Sequence, residues 1–468
     1  MAEEKATIAR DGTSFRVLCG HLIDGISEVA RAKVEIVVRD GVITAIQDMD
    51  ENWNGAKNDL PVIDLRDQWV LPGFIDCHVH PFICDEDYQM YHLKHSSAFK
   101  ALKGLRAVQD LLFHGWTTLR VAGDADEQYA VVDLRRVIED GSHIGPRIVG
   151  ITIISHHPGA PHYISITGGG GDIHKINPTI CPHIHADGLI VDGPEEMRKA
   201  VRNEKKFGAD WIKIMVTGAF MTSSDSPEAV HLSPPELLIA VEESKRLGIP
   251  VMAHAHAADG ILQAVKAGVR SVEHGSFIDE TGVAAMLERT VKGVQDACYL
   301  VPTLTIHHWT TQTASKTGAL KKMLQLQERL EGKRSKCLQH AVKRGVKIAL
   351  GTFVSSCKYV RDFIGWPAEW SAKEFGFMMQ DGISAMGAIK AGTSVAAELL
   401  ELSDRIGSLR VGKQADLVSV VEDPLKRIDT LTKVNFVMLN GRVIRHDKVP
   451  SLANGVDPVR LAIPTEQC

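Results

Sequence analysis

Short apolar runs typical of β-strands occur at both ends of the chain. Near the start they cover residues 15–18, 34–38 and 42–46, with the hairpin signal Asp40-Gly41 between the last two. Near the end they cover residues 416–421 and 436–445, the second run being interrupted by Asn440-Gly441. Each half-sheet is too small to be stable alone, so we expect the two to meet. The pattern therefore predicts one small composite β-sandwich domain built from residues 1–68 and 402–468.

Between these ends, short and almost continuous apolar runs alternate with amphipathic helical segments. Runs of this kind are typical of parallel strands that are buried on both faces, and the segments 233–247, 258–267 and 331–344 show helical spacing. The eight runs are 70–78, 117–121, 147–154, 211–217, 250–256, 271–274, 299–306 and 347–351. Eight successive βα units predict a closed (β/α)8 TIM barrel over residues 69–401. A doubly wound open sheet would instead need a glycine-rich phosphate loop after its first strand.

Potential metal ligands lie where several of these predicted strands end. In a (β/α)8 barrel the reacting groups lie at the C-terminal ends of the strands. Alternate residues of a strand point to the same side, so the first strand presents two imidazoles together. An isolated His-x-His is more often a hydrogen-bonded pair, and a lone strand lysine usually extends to solvent. The coincidence at four strands nevertheless indicates a divalent-metal site. The strand ends are His78-Val79-His80, Lys213, His254-Ala255-His256 and Glu273-His274-Gly275.

Composition excludes several other classes of protein. With 44% hydrophobic and 24% charged residues the chain is typical of globular proteins, and its 53 basic and 58 acidic residues form no basic stripe for nucleic acid. No run approaches the roughly 18 apolar residues of a membrane span, and the first residues lack a signal-peptide pattern. The 8 cysteines form no Cys-x-x-Cys pair. We therefore expect a cytoplasmic protein with a small-molecule substrate and neither nucleic acid nor membrane as partner.

Several motifs resemble a known family. Residues 70–80, Val-Leu-Pro-Gly-Phe-Ile-Asp-Cys-His-Val-His, resemble the opening signature of the amidohydrolase superfamily, and residues 407–418 resemble its closing one. The resemblance is to the subgroup of Xaa-Pro dipeptidases, imidazolonepropionase-like proteins and ochratoxinase-type amidases. It extends from about residue 15 to about residue 446. Further matching motifs are Gly145-Pro146-Arg147, Ala209-Asp210-Trp211-Ile212-Lys213, His254-Ala255-His256 and Val272-Glu273-His274-Gly275.

The resemblance implies a set of ligands and a reaction. It makes His78 and His80 ligands of a buried metal, His254 and His274 ligands of a second one, and Lys213 a carbamylated bridge between them. Two such ions, roughly 3.5 to 4 Å apart, activate water and polarise a carbonyl oxygen. The ligands suit two zinc ions, with manganese, cobalt or iron as alternatives. The resemblance thus implies amide hydrolysis in which His254, His274 and Lys213 act at the reacting centre, and a homo-oligomeric assembly.

The sequence departs from the family pattern at the end of the eighth predicted strand. Relatives read Gly-Thr-Asp there, and their aspartate binds the buried metal and transfers a proton. This chain reads Gly351-Thr352-Phe353, and phenylalanine can neither ligate nor accept a proton. General acid–base catalysis typically contributes about 10²- to 10⁴-fold, so hydrolysis needs a replacement group.

Two further departures lie on the second predicted strand and after the third. The relatives' Thr-Gly-Gly-His-Gly-Asp reads Thr-Gly-Gly-Gly-Gly-Asp here, so that glycine stands at position 170. The longer preceding segment, residues 155–162, brings three extra histidines, of which His157 is our candidate acid or base; surface histidines are the alternative reading. On the second strand the usual Arg-Asp reads Arg120-Val121, which we interpret as a structural change.

Aromatic residues crowd the segment after the eighth predicted strand, which is longer than in relatives. Over the barrel mouth they would form an apolar lid that suits an aromatic substrate. The alternative is that they pack this segment onto the barrel. The residues are Tyr359, Phe363, Trp366, Trp370, Phe375 and Phe377.

Three functions are compatible with these observations. The one that we adopt is a metal-dependent enzyme that hydrolyses an amide or peptide-like C–N bond of a small, apolar or aromatic substrate. The alternative is a non-hydrolytic metalloenzyme on the same scaffold, a decarboxylase, dehydratase or cyclase, because Phe353 replaces the aspartate. A catalytically silent binding protein is disfavoured, because it would have no chemical need for the five retained ligands.

Overall fold

The computed structural model describes residues 13–49, 60–82, 95–123, 129–149, 151–154, 191–220, 226–313, 321–354 and 368–447. Its strands are β1 Phe15–Leu22, β2 Arg31–Arg39, β3 Val42–Asp48, β4 Val62–Pro72, β5 Phe74–Val79, β6 Trp116–Val121, β7 Arg147–Val149, β8 Ile151–Ile154, β9 Trp211–Met215, β10 Val251–Ala255, β11 Ser271–His274, β12 Tyr299–Val301, β13 Leu417–Val420, β14 Phe436–Leu439 and β15 Arg442–His446.

The described helices follow most of the parallel strands. They are α1 Ser97–Phe113, α2 Ala130–Glu139, α3 Pro194–Lys206, α4 Pro234–Arg246, α5 Ala258–Ala267, α6 Glu280–Val291, α7 Leu304–Thr313, α8 Lys321–Arg344, α9 Lys373–Gln380, α10 Ala385–Ala391 and α11 Ser394–Leu399. Short 3₁₀ helices cover Ala368–Ala372 and Ile428–Thr432. Within the described part of the chain, none of these helices combines the length and apolar character needed to cross a membrane.

Strands from both ends of the chain share one seven-stranded sheet, in the order β15-β14-β13-β4-β1-β2-β3. The two predicted hairpins close it at its edges. Asp40 and Gly41 have φ of 49° and 79°, and Asn440 and Gly441 have φ of 50° and 75°. Two successive residues with positive φ make the tight turn whose twist matches the flanking strands. Strands from both chain ends thus lie in one sheet, whereas the composite β-sandwich domain stays a prediction.

The middle of the chain has a TIM-barrel-like α/β fold of parallel strands and helices. The strands form two sheets, β5-β6-β7 and β12-β11-β10-β9-β8. Residues 346–354 lie between β12 and β5: Leu300 N donates to Lys347 O at 2.9 Å, and Cys77 N donates to Leu350 O at 2.9 Å. These hydrogen bonds connect the two sheets on one side. Closure into a single eight-stranded barrel stays a prediction.

The strand ends differ from the predicted runs at three places. The first run begins within β4 of the seven-stranded sheet, and the parallel sheet starts only at Phe74. The seventh run ends early, because Thr303 has φ of +52° and α7 begins at Leu304. The eighth run pairs through an isolated bridge at Ile348, and a second isolated bridge follows the run at Val354.

Arg147 joins the parallel sheets to the seven-stranded sheet. It lies at the start of β7, and its guanidinium donates to Asp416 at 3.0 Å, to Gln414 at 2.6 Å and to Asn440 at 2.8 Å. These partners lie just before β13 and at the β14–β15 turn. Because a guanidinium can donate several hydrogen bonds in one plane, Arg147 holds the two sheets in one orientation, which explains why arginine stands in Gly145-Pro146-Arg147.

The described aromatic residues of the segment after residue 354 pack onto the protein instead of forming a common lid. Phe375 is fully buried, with its ring 5.2 Å from Phe74 and 6.0 Å from Trp116. The lid interpretation was therefore wrong for Phe375, because the start of β5 and β6 is the end of the sheet opposite to the ligands. Trp370 packs edge-on to Trp309 at 4.8 Å, and Phe377 stacks on His308 at 3.8 Å. Tyr359, Phe363 and Trp366 lie outside the described residues.

Candidate active site

The structure brings together the four histidines that the sequence predicts as metal ligands. His78, His80, His254 and His274 are all buried at the C-terminal ends of β5, β10 and β11. The ring of His78 lies 5.0 Å from those of both His80 and His274, and the ring of His274 lies 4.7 Å from that of His254. The imidazoles therefore form one continuous cluster. His157, the predicted acid or base, lies outside the described residues.

Lys213 is buried beside this cluster, in the middle of β9. Its charge lowers the pKa of His78, His80 and His274, which shows that its ammonium group acts on both halves of the cluster. Burial lowers the pKa of Lys213 itself to about 8. About a tenth of this lysine is therefore an uncharged amine at pH 7, and the uncharged amine is the form that reacts with carbon dioxide.

The hydrogen bonds of His78 and His80 leave a pair of nitrogen lone pairs facing each other. Nδ1 of His80 donates to the carbonyl oxygen of Gly123 at 2.6 Å, and Nδ1 of His78 donates to the carboxylate of Glu273 at 2.6 Å. Burial, followed by the charge of Lys213, lowers the pKa of His80 to about 3, so its ring is neutral. Both Nε2 atoms consequently carry lone pairs, yet they lie only 3.2 Å apart.

Two lone pairs at this separation repel each other unless a cation lies between them. Zinc–nitrogen bonds are about 2.0 to 2.1 Å long, so one ion can reach two nitrogens that are 3.2 Å apart. The donors therefore fit the divalent metal that the sequence implies.

The second half of the cluster contains one histidine more than the resemblance implies. His254, His256 and His274 each offer a ligand atom, and these atoms lie within 4.8 Å of one another. Nε2 of His254 donates to the carbonyl oxygen of Gly218 at 3.1 Å, which leaves the lone pair on Nδ1. His256 approaches Ser276 Oγ through Nδ1, at 2.8 Å. The His-x-His spacing that singled out His78 and His80 was also the signal for His256.

His274 has a buried ring nitrogen without a hydrogen-bond partner among the described residues. Its Nδ1 lies 2.7 Å from Thr303 Oγ1, whereas Nε2 has no hydrogen-bond partner. Leaving a buried polar atom unpaired costs about 1 to 3 kcal/mol, so an unpaired atom within a cluster of ligands indicates a missing partner. His274 also has φ of +70°, a conformation that is rare for residues other than glycine. Strain of this kind is often found where a side chain must be aimed at a functional site.

A buried ion pair behind His78 was not recognised in the sequence. Arg120 Nη2 donates to Glu273 Oε1 at 2.8 Å, and both side chains are fully buried. Arg120 also donates to the carbonyl oxygen of Cys77 at 2.6 Å and lies 4.7 Å from the ring of Trp211. Glu273 thus orients His78, as carboxylates do behind metal-binding histidines, and Arg120 orients Glu273. We interpreted the Arg120-Val121 motif as a structural change, and the structure gives Arg120 a structural role as the partner of Glu273.

Phe353 places an aromatic ring against the cluster. Its backbone N–H donates to the carbonyl oxygen of His78 at 2.8 Å, and its φ is +66°. The ring lies 4.4 Å from that of His80, 5.3 Å from that of His78 and 5.8 Å from that of His274. An apolar ring therefore occupies the side of the cluster where the resemblance places a carboxylate.

Asp76 is a buried carboxylate two residues before His78, but its hydrogen bonds hold the backbone at His78 and Thr352. It accepts from Thr352 Oγ1 at 2.6 Å, from Thr352 N at 3.1 Å and from His78 N at 3.0 Å. Burial raises the pKa of Asp76 to about 7. These contacts fix residues 351–354 against β5, so Asp76 positions the strand ends that carry His78 and Phe353.

Comparisons with protein families, curated proteins and solved structures all find proteins of the amidohydrolase type. A family model described as "Amidohydrolase family" matches residues 69–444. Ochratoxinase of Aspergillus niger is 30% identical over 439 residues, which cover 88% of this chain and 82% of that protein. Imidazolonepropionase of Mesorhizobium japonicum is 22% identical over 457 residues, covering 88% of this chain and 92% of that protein. A Xaa-Pro dipeptidase structure with methionine bound in its active site has a TM-score of 0.79 at 29% identity, covering 92% of this chain and 100% of that chain.

Proposed function

This chain belongs to the amidohydrolase family and is a hydrolase, and on that premise we propose that it uses divalent metal to hydrolyse an amide or peptide-like C–N bond of a small, apolar or aromatic substrate. The observation that carries the proposal is the pair of Nε2 lone pairs of His78 and His80 at 3.2 Å. Neutral imidazoles held in this way form a site for a cation. The bond class comes from the family and from the similar structure that is a Xaa-Pro dipeptidase by name.

The residues that would hold the metal form two groups. His78 and His80 would bind one ion, His254 and His274 a second, and Lys213 would bridge them as a carbamate. Two zinc ions suit these donors, with manganese, cobalt or iron as alternatives. When bound, divalent metal lowers the pKa of water and polarises a carbonyl oxygen.

The protein's own residues prepare this chemistry. Glu273 accepts a hydrogen bond from Nδ1–H of His78, which leaves the lone pair on Nε2, and the Gly123 carbonyl oxygen accepts one from Nδ1–H of His80 with the same effect. Burial favours the uncharged amine of Lys213; its nitrogen would attack the carbon of carbon dioxide, and the released proton would pass to solvent. Phe353 excludes water from one side of His80.

Proton transfer to the leaving amine requires a group other than residue 353. In our proposal His254, His274 and Lys213 act at the reacting centre, and His157 stays our predicted acid or base. The non-hydrolytic alternative, a lyase or isomerase, rests on the single observation that the ring of Phe353 stands against three of the histidines. The domain bounds, a closed barrel, a homo-oligomeric assembly and a cytoplasmic location also stay predictions.

An assay of hydrolysis distinguishes the two candidates. Metal-replete wild-type protein and the variants Phe353→Asp and Phe353→Leu are compared on a panel of N-acyl amino acids and Xaa-Pro dipeptides. We expect the wild type to hydrolyse at least one compound and Phe353→Asp to be about 100-fold faster on it, the lower end of what acid–base catalysis by a carboxylate contributes. Phe353→Leu, the matched apolar control, should not gain activity.

One outcome would overturn the proposed hydrolysis. If the wild type holds metal but hydrolyses nothing, while Phe353→Asp gains activity, the scaffold is competent and the natural reaction is not hydrolysis. The non-hydrolytic alternative fails in turn if neither protein binds metal.

A further inference from the structure

A small apolar cluster lies apart from the large hydrophobic cores and beside the histidine cluster. It consists of Phe220, Phe277 and Leu330, and all three side chains are at least nine-tenths buried. Phe220 follows β9, Phe277 follows β11 and Leu330 lies on α8. The rings of the two phenylalanines are 6.2 Å apart and tilted. We call these three residues the Phe220 cluster.

The Phe220 cluster connects the five clustered histidines to a sixth histidine, His307, on α7. The ring of Phe220 meets that of His256 edge-on at 4.8 Å and that of His307 edge-on at 5.6 Å. His256 belongs to the three-histidine group at the ends of β10 and β11. A substrate bound at that group would therefore have Phe220 and His307 as neighbours.

His307 carries a buried nitrogen that forms no hydrogen bond with any of the described residues. The residue is 6% exposed, and its Nε2 atom has no hydrogen-bond partner. Burial, with a further contribution from the charge of Arg334, lowers the pKa of His307 well below its ordinary value, so the ring is neutral. Most buried polar atoms in native proteins are paired, because an unpaired one costs about 1 to 3 kcal/mol. The unpaired Nε2 of His307, close to the histidine cluster, is therefore a candidate for pairing with a polar atom of a ligand.

Neighbouring charges of the described chain are already compensated. The guanidinium of Arg334 donates to Glu331 on the same helix, with Nε at 3.1 Å. Lys333 lies 4.6 Å from the ring of Phe277 and 3.8 Å from Glu228. The surroundings of His307 thus combine aromatic surface with one neutral hydrogen-bonding atom, a combination suited to an uncharged polar group on an apolar body.

We infer that the Phe220 cluster and His307 form the subsite for the substrate's side group, and that this group is an aromatic ring carrying a hydroxyl. Ring faces and edges of Phe220 and Phe277 offer favourable aromatic contacts. A hydroxyl both donates and accepts, so it pairs with Nε2 of a neutral imidazole in either tautomer. This inference rests on the proposed function, because it assumes that the substrate binds at the histidine cluster.

Binding of non-hydrolysable probes tests the subsite independently of catalysis. L-tyrosine and L-phenylalanine differ by one hydroxyl and contain no scissile amide, so their affinities for the metal-replete full-length protein can be compared by titration calorimetry. We expect tyrosine to bind about tenfold more tightly than phenylalanine, because the hydroxyl pairs with the orphan nitrogen.

Three variants identify the residue responsible. His307→Phe should remove the preference by weakening only tyrosine, and His307→Gln, which keeps a neutral hydrogen-bonding group, should retain part of it. His308→Phe is the matched control, because His308 is the adjacent histidine, stacks on Phe377 at 3.8 Å and should leave the preference intact. Phe220→Leu should weaken both probes by a similar factor. Thermal melting of each variant checks that the fold is retained.

The inference is overturned if the wild type binds the two amino acids equally, if neither binds, or if folded His307→Phe keeps the preference for tyrosine. A preference that depends on His307 in a protein that hydrolyses none of the panel compounds would leave the subsite standing and remove the proposed reaction. Hydrolysis of a panel compound by a protein that does not prefer tyrosine would leave the proposed reaction standing and remove the subsite.

Discussion

The two halves of the histidine cluster are held by different kinds of interaction. Behind His78 stands a buried ion pair, in which Glu273 accepts from both the imidazole and Arg120. Behind His254, His256 and His274 stand uncharged groups: the Gly218 carbonyl, Ser276 and Thr303. Charge-assisted hydrogen bonds are shorter and stronger than neutral ones. The comparison suggests a rigid half whose geometry is set before metal binds, and a second half that is more easily perturbed.

The largest effect is expected from removing the carboxylate of the rigid half. Glu273→Leu leaves Arg120 as a fully buried, unpaired cation, and breaking such a pair typically costs about 3 to 5 kcal/mol. The free energy of unfolding of the metal-free protein, measured in urea, should fall by about that amount.

The double variant Arg120→Met with Glu273→Leu is its control. Replacing both charges by apolar side chains removes the unpaired cation, so most of the lost stability should return. If the double variant is as unstable as the sum of the two single variants, the pair does not act as one unit and the description of the rigid half is incorrect.

The second half should respond in metal affinity and not in stability. Thr303→Val removes the hydroxyl that lies 2.7 Å from Nδ1 of His274, and loss of such a partner typically weakens metal binding about 10- to 100-fold. Competition with a chelator would measure the change. Thr310→Val is the matched control, since this buried threonine of α7 donates only to the Ile306 carbonyl, at 2.7 Å. Equal affinities of the two variants would contradict the role given to Thr303.

A pH-dependent effect on stability, smaller than that of Glu273→Leu, is expected from Glu374, which supports the second half of the histidine cluster. Glu374 accepts from Leu304 N at 2.8 Å and from Thr305 N at 2.6 Å, and so holds the start of α7 next to Thr303. Burial raises the pKa of Glu374 to about 7 from its ordinary 4.5. Between these values the folded protein keeps a proton that the unfolded chain has lost, so this contribution to stability is complete below pH 4.5 and declines as pH rises to about 7.

The variant Glu374→Gln cannot titrate at this position. The unfolding free energy of the wild type minus that of Glu374→Gln should therefore decline by at most about 3 kcal/mol as pH rises through this window. Urea unfolding at several pH values measures the difference. A difference that stays constant or increases with pH would show that burial does not dominate the titration of Glu374.

The parts of the site that could be predicted from sequence are those with short-range signals. The period of two in a strand was enough to place His78 and His80 together, and the tight-turn dipeptide Asp40-Gly41 was enough to locate a hairpin. The same spacing pointed to His256, which we overlooked because the resemblance names only His254. The Arg120–Glu273 pair could not be found in this way, because its members are 153 residues apart.

Other differences arise from backbone geometry and packing. An apolar run does not show that the chain turns at Thr303 with positive φ, so the seventh predicted strand was too long. Phe375 resembles its aromatic neighbours in sequence, yet it alone among the described ones fills the space between Phe74 and Trp116. Phe353 was recognised as a departure, but only the structure shows its ring against three of the imidazoles.

The most direct test of the central claim is the metal content of the purified protein after reconstitution, measured by elemental analysis for the wild type, His78→Asn and His254→Asn. The account predicts about two ions per wild-type chain and about one for each variant, because each substitution removes a ligand from a different half of the cluster. A wild type that holds no metal, or variants that both retain the wild-type content, would contradict it.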